Sequence, residues 1–150
     1  MDAQKPDLSR QEAWAALIAR GILGLLFFMA GWFKVFELGV LEHARRFFIG
    51  GYHESWIPLW LLWALGTVIP FVELIGGLLV LLGYRMRLVL PVLGCLLLIV
   101  TYGHLLNEPL FDITSHIFPR AVFLIFLLWI PGEADRWSLD GWLTRRRARA

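Results

Sequence analysis

The sequence predicts an all-α fold: a four-helix transmembrane bundle with short interfacial amphipathic helices, forming one membrane domain over residues 1–150. Composition is the first observation behind this. The chain is 59% hydrophobic and 17% charged, against about 25% charged in soluble domains, and its mean hydropathy is +0.67. The second is the run from Trp56 to Gly83, WIPLWLLWALGTVIPFVELIGGLLVLLG, with a single acid, Glu73. It is longer than the roughly 20 residues a helix needs to cross a hydrocarbon core of about 30 Å. The third is a stripe in that run. Gly66, Pro70, Glu73, Gly77 and Val80 recur at alternating spacings of four and three, which places them on one helix face. Small residues around a lone acid make a face that another helix can approach closely. A carboxylate at this depth has to face protein or water.

The expected spans are residues 13–36, 56–83, 88–106 and 115–130. In the first, Ser9-Arg10-Gln11-Glu12 fits a capping box at the helix start. Arg20, Gly24, Phe27, Gly31 and Lys34 then form a second stripe with the same alternation, a small face complementary to the Glu73 stripe. By the helical rise, Arg20 lies roughly 9 Å from the interfacial anchor Trp14, and Glu73 roughly 16 Å from Tyr84 at the same end. The long guanidinium bridges the difference, so an intramembrane Arg20–Glu73 pair is expected. The alternative is that Arg20 snorkels to lipid phosphate.

Residues 40–48, VLEHARRFF, read as an interfacial helix too short to span. Val40, Leu41, Ala44, Phe47 and Phe48 form its apolar side, and Glu42, His43, Arg45 and Arg46 its polar side. Gly50-Gly51 is expected to end it, and Ser55 to cap the second span, which Pro70 is expected to tilt or bend. The third span follows Arg85 and Arg87, with an inward stripe of Pro91, Gly94, Leu98, Thr101 and His104. A polar loop leads to the fourth, expected to begin near Ser115 or His116 with Pro119 in its first turn. His116, Arg120, Phe123 and Leu127 would then share a face, and Pro131-Gly132 would stop the helix. In the basic interfacial tail, residues 133–150, Trp137, Leu139, Trp142 and Leu143 precede Arg145, Arg146, Arg147 and Arg149. Such a cluster attracts anionic headgroups and acts as a topology anchor.

With four spans, Lys5, Arg10, Arg85, Arg87, Arg136 and the tail arginines share one side, against Lys34, Arg45, Arg46 and Arg120 on the other. The positive-inside rule then places both termini in the cytoplasm of a bacterial-type inner membrane. Asp2, Asp7 and Glu12 make the start unlike a basic cleavable signal. The lone Cys95 excludes an intramolecular disulfide and a CxxC redox pair, and reads as inert packing. A net charge of +2 gives no reason to expect nucleic acid as a partner.

A second polar cluster is expected near the outer face, where Lys34, His104, His116 and Arg120 converge with Glu37, Glu108 and Asp112 in the loops. It has three readings. A metal site fits no ligand spacing, and its own cations would repel the ion. A quinone site would use the histidines and cations as donors to the ring oxygens, with Phe27, Phe33, Phe71, Tyr102 and Phe123 along an apolar slot. The third reading is interfacial cations neutralised by loop acids. Gly24, Gly31, Gly66, Gly76 and Gly77 are expected to serve helix packing.

The stretches RGILGLLFFMAGWFKVFE (Arg20 to Glu37) and VELIGGLLVLLGYRMRL (Val72 to Leu88) resemble the signatures of the DoxX family of small four-helix membrane proteins. The resemblance covers roughly residues 13–130 and singles out Arg20, Lys34, Glu73, Gly76, Gly77 and Arg87. It implies association with membrane redox systems; related DoxD proteins form part of a thiosulfate:quinone oxidoreductase. The expected function is a non-catalytic accessory subunit of a larger respiratory or photosynthetic complex, with the lipid bilayer and other membrane subunits as partners. A quinone-interacting redox subunit is the alternative, and a small-solute transporter with Glu73 as proton carrier the weaker one. No cofactor other than that quinone is expected.

Overall fold

The computed structural model describes residues 8–110, 113–130, 132 and 135–147, with side chains from residue 10 onward. Lys5, the Ser9 side chain of the expected capping box, Asp112, Pro131 and Arg149 lie outside the described residues. The described residues are predominantly helical, with no strand among them. The helices are α1 (Leu8–Trp32), α2 (Val40–His43), α3 (Gly50–Tyr52), α4 (Leu59–Leu82), α5 (Met86–Asn107), α6 (Phe118–Trp129) and α7 (Leu139–Arg147). Two π-helical turns interrupt them, Phe33–Glu37 after α1 and Ala44–Ile49 between α2 and α3.

Among the described residues three segments are long and apolar enough to cross a membrane: Arg10–Glu37, Leu59–Leu82 and Met86–Asn107. The fourth expected span is shorter than the sequence suggests. α6 has 12 residues, or about 18 Å of helix against a core of about 30 Å. Pro119 explains the late start. A helix begun at Ser115 would press the proline ring against that residue's carbonyl, whereas a start at Phe118 puts Pro119 in the first turn. Residues before it close turns instead, with the Ile117 and Phe118 amides both donating to the Ile113 carbonyl.

The four apolar helices share one core. Leu23 and Phe27 of α1, Ile69 and Val80 of α4, Val89, Leu90 and Leu93 of α5, and Leu124 and Leu127 of α6 are buried together. α1 and α4 form the most extensive contact, α6 lies against both α1 and α5, and α5 contacts α4. The expected stripes explain the first contact. Gly66, Pro70, Glu73, Gly77 and Val80 are all buried, as are Arg20, Gly24, Phe27 and Gly31. A Cβ added at Gly31 would lie 2.6 Å from the Leu74 Cα, and one at Gly77 would lie 2.7 Å from the Phe28 Cα. The two backbones therefore touch where only hydrogen fits. Gly66 makes the same close approach to Ala44, and Gly76 to Leu93 of α5.

Three local expectations are corrected. α5 buries Val89, Leu90, Leu93, Leu96 and Leu97, while Pro91 and Leu98 of the expected stripe are exposed, as is Cys95. The α5 face is set by larger aliphatics packing on α4 and α6, not by its small residues. Ser55 does not cap α4. Its hydroxyl donates to the Tyr52 carbonyl and accepts from the Ile57 amide, closing the preceding turn, and Pro58 stands at the α4 N-cap. Gly50-Gly51 does not end the interfacial segment, which runs on through α3 to Tyr52.

The tail folds back onto the end of the bundle that carries the start of α1 and the α4–α5 turn. Trp137 meets Trp14 edge to face at 4.7 Å. The Asp140 amide donates to the Gly83 carbonyl. The Asp140 carboxylate accepts from the amides of Arg85 and Met86, both at 2.9 Å. A residue more than fifty positions away thus satisfies the free amides that open α5.

Candidate functional site

Two buried polar clusters occupy the two ends of the α1–α4 contact. In the first, Arg20 is held by groups from three parts of the chain. Its Nη1 donates to the carbonyls of Val80 and Leu81, its Nη2 to that of Trp137 at 3.1 Å, and its Nε lies 3.3 Å from the Asp135 carboxylate. The expected Arg20–Glu73 pair is therefore not formed. Arg20 and Glu73 match by depth along their helices, but the tail returns Asp135 to the end of the bundle where Arg20 lies. Asp135 is itself buried, which pushes its carboxyl above the ordinary value despite the opposing guanidinium.

Glu73 pairs instead with Lys34. The ammonium lies 2.5 Å from Oε2, with the carboxylate almost wholly buried and the lysine half-buried. Helix direction explains the choice. α1 and α4 run antiparallel, with Gly31 against Leu74, so the residue one turn beyond Gly31 falls beside Glu73. A buried carboxylate beside a lysine avoids the cost of an isolated charge.

Around this pair the structure gathers further polar groups. Arg120 donates to the His116 carbonyl at 2.8 Å and the Leu26 carbonyl at 3.1 Å, with its guanidinium 5.4 Å from the Phe27 ring centroid. It lies within electrostatic reach of Glu73. His104 lies within such reach of Lys34 and His116. Lys34 and Arg120 thus both face Glu73 electrostatically, His104 faces Lys34 and His116, and Arg120 bonds the His116 backbone. Among the described residues no group of His, Cys, Asp and Glu is arranged to hold a metal ion.

His43 belongs to this cluster, and sequence reasoning placed it on the outward polar side of the interfacial segment. It is buried, and its Nδ1 donates to the Gly66 carbonyl at 2.8 Å. Leu41 and Phe47, from the expected apolar side, are exposed. On an α-helical wheel His43 and Leu41 flank the apolar stripe on opposite sides, and the segment is turned so that His43 and Ala44, not Leu41, meet α4 at Gly66. The signal available was the glycine at position 66, which admits Ala44 and with it the adjoining imidazole.

Burial lowers the His43 pKa below its ordinary 6.5; the Lys34 charge adds to this, while the Gly66 hydrogen bond and Glu73 oppose it. The folded state thus binds that proton less readily than the unfolded state. The stabilisation from neutral His43 is complete above the unfolded value of 6.5 and is lost as pH falls through the lower folded value. Asp135, with a raised pKa, acts in the opposite sense on acidification. Comparison with His43→Gln isolates the histidine. The unfolding free energy in detergent should fall more steeply for wild type than for the variant between about pH 7 and pH 5, by at most about 1.4 kcal/mol per pH unit. Identical profiles would contradict the burial of a neutral imidazole.

An all-helical fold with three membrane-length helices among the described residues and an ion-paired carboxylate buried between two of them defines a small polytopic membrane protein. The family model described as "Methylamine utilisation protein MauE" matches residues 12–108, and the chain belongs to that family. This overturns the resemblance to DoxX, a different membrane family. Both stretches that carried the resemblance lie inside the matched region, on the close-packed faces of α1 and α4. Glycine–aromatic runs around a lone acid report how two membrane helices pack, which unrelated families share. No curated protein and no solved structure matches the chain.

Proposed function

We propose that this protein is a non-catalytic accessory subunit of a membrane-associated redox pathway of the kind its family's description names, methylamine utilisation. The observation that carries this reading is the use to which the buried ionisable groups are put. Lys34 is engaged by Glu73, Arg20 by Asp135 and three carbonyls, Arg120 by the carbonyls of His116 and Leu26, and His43 by that of Gly66. These groups hold segments of the chain to one another. Lys34 and Arg120, two of the four donors named for a quinone, bond the protein's own oxygens, which supports the accessory role over the quinone reading. The lipid-facing sides of α5 and α6, with Leu98 72% and Trp129 81% exposed, offer large apolar surfaces to neighbouring helices. The excess of basic residues at the end bearing the tail supports an inner-membrane location with that end in the cytoplasm.

The test is purification of the tagged protein from its native membranes in mild detergent. Stoichiometric recovery with components of a larger redox assembly is the expected result. Recovery of a stable, solitary monomer from cells growing on methylamine would contradict the proposal.

A further inference from the structure

Where the tail meets the bundle it leaves an open cleft of about 610 Å³, lined by Arg20, Arg136 and Arg145 together with Trp137, Trp142 and Leu82. Arg20 is already committed to Asp135. Arg136 and Arg145 are exposed, and no acidic residue among the described residues lines the cleft with them. One Arg145 Nη bonds the Arg136 carbonyl at 2.7 Å, which draws the two arginines into one unit. Two tryptophans beside them are the residue type that sits at the headgroup level of a bilayer.

A second feature lies along the same helix. An apolar groove of about 300 Å³ runs between α4 and α5, lined by Val68, Val72, Ile75 and Leu79 on one side and by Leu88 and Val92 on the other. Leu82 of the basic cleft continues the row of Leu79, Ile75, Val72 and Val68 at spacings of three and four, one stripe of α4. From Leu79 to Val68 the helix rises about 16 Å, close to the roughly 15 Å of one leaflet of hydrocarbon. A positive cleft at the membrane surface thus leads into an apolar groove one leaflet deep.

We propose that cleft and groove together bind one anionic phospholipid, with its phosphate-bearing headgroup between Arg136 and Arg145 and an acyl chain laid along α4 toward Val68. The inference stands apart from the accessory role and survives its failure. Charge complementarity selects the headgroup, and the stripe selects a chain-bearing lipid over a soluble anion.

The test is native mass spectrometry of the purified protein released from nanodiscs of equal phosphatidylglycerol and phosphatidylcholine. Wild type is expected to retain phosphatidylglycerol over phosphatidylcholine by roughly tenfold or more, two arginines each favouring an anionic headgroup. The R136Q/R145Q variant should lose that preference. R146Q/R147Q, which removes equal charge from tail positions outside the cleft, should keep it. Ile75→Trp, at an exposed position in the groove, should lower retention of both lipids while leaving the thermal midpoint unchanged. Preference surviving in R136Q/R145Q, or falling equally in R146Q/R147Q, would overturn the proposal. So would displacement of the lipid by millimolar inorganic phosphate, which would make the cleft a site for soluble anions.

Discussion

Gly77→Leu should drive α1 and α4 apart and destabilise the bundle by about 3 kcal/mol, the upper part of the range for overpacking a well-packed site. An added Cβ at Gly77 meets the Phe28 backbone, and its Cα at 2.7 Å cannot move aside as a flexible side chain would. Relief requires the two helices to separate. Separation would also lengthen the Lys34–Glu73 contact a turn away and expose Phe27, which is fully buried between them. Gly21, on the same helix, is the control, since an added Cβ there meets nothing within 4 Å. Gly21→Ala should be neutral or mildly stabilising, given alanine's better helix propensity. Denaturant titration in detergent, followed by far-ultraviolet circular dichroism, measures both. Equal behaviour of the two variants would mean that α1 and α4 do not touch as described.

Removing either partner of the Lys34–Glu73 pair should cost about 3–5 kcal/mol, because the survivor is left charged and uncompensated inside the bundle. Lys34→Met and Glu73→Met are the informative single changes. The double variant should recover most of the loss, since two apolar side chains of similar size need no partner in a low-dielectric setting. The coupling is read as the departure from additivity in a double-mutant cycle. Arg20→Met with Glu73→Met should be additive, because Arg20 is bound to Asp135 and to the end of α4. Additivity for Lys34 and Glu73, or coupling between Arg20 and Glu73, would restore the pairing suggested by depth alone.

The stripes on α1 and α4 were legible because they depend only on helical period and side-chain size. Gly24, Gly31, Gly66, Gly76 and Gly77 all lie at close approaches between elements. The partner of each charge was harder to read. Arg20 and Lys34 share a face of α1, and choosing between them for Glu73 required knowing that Asp135 returns to the opposite end. That return is a long-range event with no local signature. His43 was hidden for a different reason, since it flanks the apolar stripe of its helix and only the packing of Ala44 against Gly66 decides which flank is buried. The length of α6 was within reach of a stricter reading of Pro119, whose ring excludes the turn before it. Family membership was obscured because the quoted stretches record the packing of two helices.

Treatment of the protein in intact membranes with a membrane-permeant carbodiimide bears most directly on the central contact, because the reagent joins an amine to a carboxylate only when the two touch. With Nζ 2.5 Å from Oε2, mass spectrometry of the digest should find an amide linking Lys34 to Glu73, absent in Glu73→Gln. Glu73 modified by the reagent yet joined to no lysine, or Lys34 linked to Glu37 in its place, would contradict the pairing that holds α1 to α4.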